Sequence, residues 1–236
     1  MNLIVGGVNV SILVFNFIVG LVLFYHDLPI LYCGGSYLGN GTIITAAHCV
    51  KNLQEENTSM RVYYNLQSLN NFSGSDFFYE VSRFKMHERF NLDNLSNDVA
   101  LLKIPVADVP IKNVLLPTDP YSFRDTYYIL GYGFTDYKNP HLDLLHLGEV
   151  NILNKDLYPN LPTDDSMLIA QGNINGTIVD TCKGDSGGPL FQIDREGNHY
   201  LYGITSWGIG CADVMNPGVY SDVYYMRGWI KKNIDF

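Results

Sequence analysis

Short apolar runs separated by turn-forming residues extend through most of the chain. Runs rich in Val, Ile, Phe and Tyr, bounded by Gly, Asn, Pro and Asp, are typical of β-strands. The strands predicted in this way are Phe15–Phe24, Gly41–Thr45, Met60–Tyr64, Phe77–Phe84, Val99–Ile104, Tyr127–Leu130, Gly148–Leu153, Pro189–Ile193, Tyr200–Trp207 and Gly218–Val223. Cys33–Ser36 is expected to open a tight turn. Many short strands with such turns favour an antiparallel barrel or sandwich.

Only the end of the chain has a helical pattern. Val223, Met226, Ile230 and Ile234 recur at steps of three and four residues, which places them on one face of a helix. The stretch from Pro105 to Asp125 contains three further prolines and is the best candidate for a linker between two halves. The pattern therefore predicts an all-β fold with a terminal helix.

The first twenty-five residues allow a second interpretation. No charge occurs between Leu3 and Tyr25, and a stretch of this length and hydropathy is compatible with a membrane span or a signal-peptide core. Gly and Asn residues interrupt the stretch, no Lys or Arg precedes it, and no small-residue cleavage site ends it. These features argue against membrane insertion, but the pattern alone leaves a membrane-anchored surface protein open.

Composition excludes some classes of protein and leaves others open. The 236 residues carry a formal net charge of -9, whereas a nucleic-acid-binding domain normally has a basic face. The length suits one large domain or two small ones. None of the four cysteines forms a C-x-x-C pair, so a zinc ribbon is not expected. An even number of cysteines is compatible with two disulfides, without indicating their pairing.

Three residues have the side chains that acyl transfer requires. This chemistry needs a nucleophilic hydroxyl, a base that removes its proton, and a carboxylate that orients the base. Ser186 lies between glycines, His48 among small residues, and Asp98 directly before an apolar run. Taken singly, each has an ordinary structural explanation: a loop serine, a core histidine and a turn aspartate.

Seven motifs that occur together favour the chemical interpretation. In chain order they are Ile4-Val5-Gly6-Gly7, Cys33-Gly34-Gly35-Ser36, Thr45-Ala46-Ala47-His48-Cys49, Asn97-Asp98-Val99-Ala100-Leu101-Leu102, Gly184-Asp185-Ser186-Gly187-Gly188-Pro189, Ser206-Trp207-Gly208 and Pro217-Gly218-Val219-Tyr220. From Ile4 to its end, the chain resembles the chymotrypsin/trypsin family of serine proteases. The order His, Asp, Ser is the order of that family and differs from that of subtilisin or the α/β-hydrolases.

The resemblance implies a fold and a division of the chain. It implies two six-stranded antiparallel β-barrels, followed by a C-terminal helix, with the site in the cleft between them. Residues 4–120 would form the half that carries His48 and Asp98. Residues 121–236 would form the half that carries Ser186, the specificity pocket and the helix. By position, the resemblance pairs Cys33 with Cys49 and Cys182 with Cys211.

The same resemblance assigns roles to site residues. His48, Asp98 and Ser186 would be catalytic, with the N–H groups of Gly184 and Ser186 as the oxyanion hole. The acid of the pocket floor would be Asp180, six residues before the nucleophile, which implies cleavage after Arg or Lys. The substrate-binding residues implied in this way are Asp180, Thr181, Lys183, Ser206, Trp207, Gly208, Gly210 and Gly218.

The resemblance also implies activation of a zymogen. A free amino group on Ile4 would pair with Asp185, but Leu3 precedes Ile4 where activatable members of the family usually have Arg or Lys. Lys183 lies at the pocket mouth, where a neutral residue is common. No acidic cluster occurs in residues 65–76, so the calcium site of some relatives is not expected.

The family implies neither a cofactor nor a metal. Polypeptide substrates and proteinaceous inhibitors are the expected partners, nucleic acid and membrane are not, and a secreted monomer is expected. Two alternatives stay open: a non-catalytic relative that uses the cleft for binding, and a serine protease with chymotrypsin- or elastase-like specificity. The intact His48, Asp98 and Ser186 argue against the first of these.

Overall fold

A computed structural model describes residues 4–67, 78–106, 111–133 and 144–236. The elements of the first part of the chain are β1 (Val8–Asn9), β2 (Ile18–Tyr25), β3 (Leu28–Gly39), β4 (Thr42–Thr45), α1 (Ala47–Val50), a 3-10 turn (Lys51–Gln54), β5 (Thr58–Tyr63), β6 (Phe78–Glu80), β7 (Arg83–Met86) and β8 (Ala100–Lys103). The elements of the second part are β9 (Tyr127–Gly131), β10 (His146–Leu153), a 3-10 turn (Lys155–Leu157), β11 (Met167–Ile174), β12 (Thr177–Val179), β13 (Pro189–Ile193), β14 (His199–Trp207), β15 (Gly218–Asp222) and α2 (Val223–Asn233).

The first sheet curls until its two edges belong to one segment. Its strands lie in the order β6-β5-β2-β3-β4-β8-β7, and all neighbours are antiparallel. Strands β6 and β7 are separated only by Val81 and Ser82. The Val81 N–H donates to Met60 O on β5, and the next N–H donates to Lys103 O on β8. A single bent segment therefore occupies the position of a sixth strand, as in a barrel.

The second sheet is a closed six-stranded barrel, called the second barrel below. Its strands follow the order β10-β9-β13-β14-β15-β11, and β11 pairs back with β10 through Asn151–Leu153 and Ile169–Gln171. Strand β12 pairs antiparallel with the end of β11, and β1 pairs antiparallel with β10. Ile4 and β1 thus pack on the second barrel, whereas strands β2 to β8 form the first sheet. The division into halves at residues 120 and 121 stays a prediction.

The predicted all-β fold with a C-terminal helix is confirmed, and helix α2 has the predicted buried face. Val223, Met226 and Ile230 are buried, whereas Ile234, predicted on the same face, lies just past the end of the helix and is half-buried. The Asp222 side chain caps the helix by accepting the Tyr225 N–H at 2.9 Å. Neither helix of the described part of the chain is long and apolar enough to span a bilayer. The apolar stretch that left a membrane span open instead contains strand β2, buried in the first sheet.

The predicted tight turn at Cys33–Ser36 is wrong, because these residues lie inside β3. A β-carbon on Gly34 would lie 3.0 Å from Gly188 Cα, and one on Gly35 would lie 2.9 Å from Ile43 Cγ2. The glycines therefore mark a close approach of the backbone to its neighbours rather than a turn.

Two further differences concern the extent of a predicted strand, and a third is a strand that was missed. Strand β2 begins at Ile18, and Phe15 lies in the preceding turn, where the Ile18 N–H donates to its carbonyl at 3.1 Å. The predicted strand Phe77–Phe84 is the bent β6–β7 segment, and residue 77 lies outside the described residues. Strand β11 was not predicted, because no turn residues separate its apolar start from the polar residues that follow.

Candidate active site

Asp98 lies at the centre of a hydrogen-bond network and is completely buried. It lies two residues before β8, which pairs with β4, and α1 follows β4, so the Asp98 carboxylate reaches the start of α1. Asp98 Oδ2 accepts the proton of His48 Nδ1 at 2.7 Å, and Oδ1 accepts the His48 backbone N–H at 2.9 Å. Because an ionised carboxylate only accepts hydrogen bonds, the proton of a neutral His48 ring is on Nδ1. Nε2 keeps a lone pair, because its neighbour at 3.7 Å, the disulfide sulfur Cys49 Sγ, has no proton to donate.

Two hydroxyls of the second barrel also hold Asp98. Ser206 Oγ donates to Asp98 Oδ2 at 2.5 Å, and Ser221 Oγ donates to the Asp98 backbone carbonyl at 2.7 Å. These serines lie on β14 and β15, so the acid of one half is fixed by the other. The resemblance implied Ser206 only as a substrate-binding residue, and no motif of the sequence marked Ser221.

The turn that carries Ser186 docks directly against β3. Gly34 N–H donates to Ser186 O at 2.7 Å, and the Gly187 N–H donates to Thr205 O at 2.8 Å. Thr45, three residues before His48, donates its hydroxyl to Gly34 O at 2.8 Å. One chain of contacts thus links the serine turn to the strand that leads into α1.

The carboxylate of Asp185 organises the same turn from inside. It is 1% exposed, and it accepts the Gly133 N–H at 2.8 Å and the Cys182 N–H at 2.9 Å. Burial raises the pKa of Asp185 to about 7, although these two hydrogen bonds act in the opposite direction. Among the described residues, the backbone N–H groups of Gly184 and Ser186 donate to no other backbone group.

A cavity of about 190 Å³ opens beside Ser186. All eight residues predicted to bind substrate line it: Asp180, Thr181, Lys183, Ser206, Trp207, Gly208, Gly210 and Gly218. Both disulfides implied by the resemblance are present, and Cys182–Cys211 ties the serine turn to the cavity wall. The other, Cys33–Cys49, joins β3 to the short helix of His48.

The Asp180 carboxylate lies against backbone donors at one end of this cavity. It is 2% exposed, Oδ1 accepts the Thr181 N–H at 2.8 Å, and Oδ2 accepts the Ala212 N–H at 3.2 Å. Burial raises the pKa of Asp180 to about 7 against the effect of its hydrogen bonds. A β-carbon on Gly218 would lie 2.6 Å from Asp180 Oδ1, so a larger residue at that position would cover the acid.

This arrangement agrees with comparisons of the whole sequence. A sequence model of the trypsin family, described as Trypsin, matches residues 4–230. This chain belongs to the trypsin family of serine proteases. It is 35% identical over 210 residues to Trypsin-1 of Astacus astacus, which covers 86% of this chain and 87% of that protein.

A second relative is much longer than this trypsin-family chain. Transmembrane protease serine 9 of Rattus norvegicus is 35% identical over 211 residues, which is 85% of this chain and 19% of that protein. The similarity therefore concerns only a part of that relative.

The trypsin-family chain has one group of described residues with the spacing of metal ligands, Cys33, His48 and Cys49. Both sulfurs of this group are joined in a disulfide, so neither is a thiolate ligand. Most of the stretch in which an acidic calcium-binding cluster was not expected, residues 68–76, lies outside the described residues.

Ile4 lies inside the second barrel of this protease. Its side chain is fully buried and packs with Ile129, Val150 and Val179 in the barrel core. The next residue, Val5, accepts the Asp180 N–H through its carbonyl at 3.2 Å. A backbone hydrogen bond therefore joins the start of the family match to Asp180 in the lining of the cavity.

Proposed function

We propose that this protein is an endopeptidase that hydrolyses the peptide bond after Arg or Lys through an acyl-enzyme intermediate. Ser186 is the nucleophile, His48 the general base, and Asp98 the residue that orients the base. The observation that carries the proposal is the double hydrogen bond from His48 to the buried Asp98 carboxylate. A histidine held in this tautomer has its Nε2 lone pair available to accept a hydroxyl proton.

The chemical steps follow from these roles. Ser186 Oγ attacks the substrate carbonyl carbon as its proton passes to His48 Nε2. The tetrahedral intermediate collapses when His48 gives this proton to the leaving amine, and the acyl group stays on Ser186. Water, deprotonated by the same imidazole, then releases the acid and restores Ser186.

The N–H groups of Gly184 and Ser186 form the oxyanion hole of this mechanism. Preorganised donors stabilise the charge that develops on the carbonyl oxygen. Within the described ranges, neither N–H group donates to another backbone group, and this supports the role. Asp185 holds the turn between them, and the free amino group of Ile4 is the counter-ion that stabilises it in the active enzyme. A form in which residues precede Ile4 lacks this amino group and would therefore be a zymogen.

Preference for Arg or Lys rests on Asp180. Its carboxylate is desolvated, and both Asp180 and Gly218 line the cavity. A guanidinium or ammonium group supplies the missing positive charge, whereas an apolar side chain leaves the acid unpaired at a cost of about 3–5 kcal/mol. The Thr181 hydroxyl, 3.2 Å from Tyr220 OH, is a further acceptor for a lysine ammonium. Lys183 disfavours basic residues near the mouth of the cavity.

Two disulfides and the family suit a secreted enzyme whose partners are polypeptide substrates and proteinaceous inhibitors, and which acts as a monomer. Neither a cofactor nor a metal takes part in the proposed reaction.

The test uses protein with Ile4 as its first residue and a library of peptides that vary at the residue before the scissile bond. We expect cleavage after Arg and Lys, its loss in Ser186→Ala, and loss of the basic preference in Asp180→Ser. Covalent labelling by a sulfonyl fluoride should occur in the wild type and not in Ser186→Ala. No labelling and no cleavage would favour a non-catalytic binding protein. A profile led by Phe, Tyr or Leu would favour chymotrypsin-like specificity.

A further inference from the structure

The segment that leads into Asp98 follows an unusual backbone path. Leu95 and Asn97 have φ angles of 56° and 52°, in the left-handed region that non-glycine residues seldom adopt. Such conformations persist where the surrounding structure holds them. Because Asn97 immediately precedes Asp98, whatever holds Asn97 also sets the direction in which the Asp98 side chain leaves the backbone.

Ser166, on the second barrel, holds Asn97. The Asn97 backbone N–H donates to Ser166 Oγ at 2.9 Å, and Ser166 Oγ donates to Asp164 Oδ1 at 2.6 Å. A hydroxyl has a single proton to donate, and Ser166 donates it in the hydrogen bond to the Asp164 carboxylate. The lone pairs of Ser166 Oγ are therefore left for the Asn97 N–H.

Asp164 also reaches the residue before Asn97. Ser96 Oγ donates to Asp164 Oδ2, and Ser96 is buried. Burial alone would raise the pKa of Asp164, but the hydrogen bonds from Ser166 and Ser96 outweigh it and lower the pKa. The ionised Asp164 carboxylate thus holds two successive residues before Asp98. It binds Ser96 directly, and it holds Asn97 through Ser166.

The segment that carries Asp164 and Ser166 is itself fixed by hydrogen bonds to its backbone. Lys155 Nζ donates to Asp164 O at 2.7 Å and to Met167 O at 2.8 Å. The Asp222 N–H donates to Ser166 O at 2.8 Å. Ser206 and Ser221 already attach Asp98 to the second barrel. The Asp164–Ser166 pair adds a third attachment, to the residues just before Asp98.

We propose that Asp164 and Ser166 are positioning residues for the proposed reaction, which orient Asp98 by clamping Ser96 and Asn97. The clamp acts across the two halves of the protein and through the backbone, without contact with substrate. It deepens the proposed function and rests on it. Its consequence is that catalytic rate depends on an exposed acid outside the triad and outside the cavity.

The kinetic test compares Asp164→Ala and Ser166→Ala with Asp165→Ala, all starting at Ile4. Asp165 is a matched control, because it is an exposed neighbour without a hydrogen bond or ion pair in the described part of the chain. We expect kcat on a small arginine ester to fall about 10- to 100-fold in the first two variants, because misplacement of a catalytic group by about 1 Å has effects of this size. KM should stay close to that of the control. Asp164→Asn keeps one acceptor oxygen, so its kcat should lie between those of Asp164→Ala and the wild type.

A spectroscopic measurement separates the clamp from the proposed function. The His48 Nδ1 proton, which is hydrogen-bonded to Asp98, should give a low-field ¹H NMR line. This line can be observed without any substrate turnover. We expect this line to shift or broaden in Asp164→Ala and Ser166→Ala and to be unchanged in Asp165→Ala. If the wild type hydrolyses nothing while the line changes as expected, the clamp stands and the proposed function fails. If kcat and the line in both variants match those of the control, the clamp is wrong, even if the melting temperature falls.

Discussion

His48 and Asp98 are joined by two hydrogen bonds at once, one from the ring and one from the backbone. Nδ1 lies 2.7 Å from Asp98 Oδ2, and the backbone nitrogen lies 2.9 Å from Oδ1. A single contact would leave the imidazole free to turn about it. With both carboxylate oxygens engaged by one residue, the plane of the carboxylate and the start of α1 are fixed together, and with them the tautomer of the ring.

Asp98→Asn should leave the fold intact and abolish most of the activity. The amide oxygen can accept the His48 backbone N–H, which places the NH₂ group against Nδ1. The ring must then accept at Nδ1 and carry its proton on Nε2, so it no longer accepts the proton of Ser186. We expect kcat to fall by about four orders of magnitude, the size of this change in related serine proteases rather than a value derived for this chain.

Burst titration and circular dichroism of Asp98→Asn check this prediction. An unchanged spectrum with a rate within tenfold of the wild type would mean that Asp98 does not set the tautomer of His48.

Ser206→Ala should lower activity more than Ser221→Ala. The Ser206 hydroxyl donates to an ionised oxygen, whereas the Ser221 hydroxyl donates to a neutral carbonyl. Hydrogen bonds to charged groups contribute about 1.5–3 kcal/mol and neutral ones about 0.5–1.5 kcal/mol. We therefore expect kcat/KM to fall roughly 10- to 100-fold in Ser206→Ala and about tenfold or less in Ser221→Ala. Measurement of kcat/KM on one ester substrate for both variants decides the order, and the reverse order would contradict it.

Much of the fold could be predicted because each motif is local in sequence. The period of Val223, Met226 and Ile230 predicted α2, and β-branched runs predicted most strands of both sheets. Cys33–Ser36 was misassigned, since glycines indicate turns when only the chain itself is considered. In the structure, a glycine is needed at position 34 because Gly188, which is distant in sequence, lies close to it.

The candidate site could be predicted only as far as its motifs extend. Asp98 and His48 stand in recognisable segments, but Ser221 and Ser166 carry no local signal. Their hydroxyls become partners of the Asp98 segment only when β15 and the start of β11 are packed beside it. A serine in an ordinary strand is common, and its partner is set by tertiary structure.

Binding of a small amidinium inhibitor, such as benzamidine, should depend on the charge of Asp180. Burial raises the pKa of Asp180 to about 7. Below this pH the acid is mainly protonated and offers no charge to a cation, so affinity should rise as the pH passes through about 7 and then level off. Asp180→Ser should bind weakly with little dependence on pH in this range.

Calorimetric titration between pH 5.5 and 8.5 measures these affinities. His48→Ala serves as the control for titration elsewhere in the site, and we expect it to keep the pH dependence. A pH dependence that disappears in His48→Ala and persists in Asp180→Ser would assign the effect to the wrong residue.

A free amino group on Ile4 should change how the free energy of unfolding depends on pH. Burial raises the pKa of Asp185 to about 7, whereas the unfolded chain has a reference value of about 3.9. Between these values the folded protein retains a proton that the unfolded chain has lost, so the free energy of unfolding falls as pH rises through this window and levels off above it. Asp180 has the same sign, but it contributes equally to both forms of the protein.

In the form that begins at Ile4, the ammonium group would compensate the ionised Asp185. Because this counter-charge favours the carboxylate in the folded state, the loss of stability between pH 5 and 8 should be smaller than in the form that begins at Met1. The α-amino group has a reference pKa of about 7.7–8.0, and pairing with a carboxylate raises this pKa. The greater stability of the form that begins at Ile4 should therefore persist at pH 8 and disappear in stronger alkali. Urea unfolding of both forms at several pH values, with ester hydrolysis measured in parallel, tests the pair directly. Parallel stability curves with equal rates would show that Ile4 and Asp185 do not interact, and activity would then need no new N-terminus.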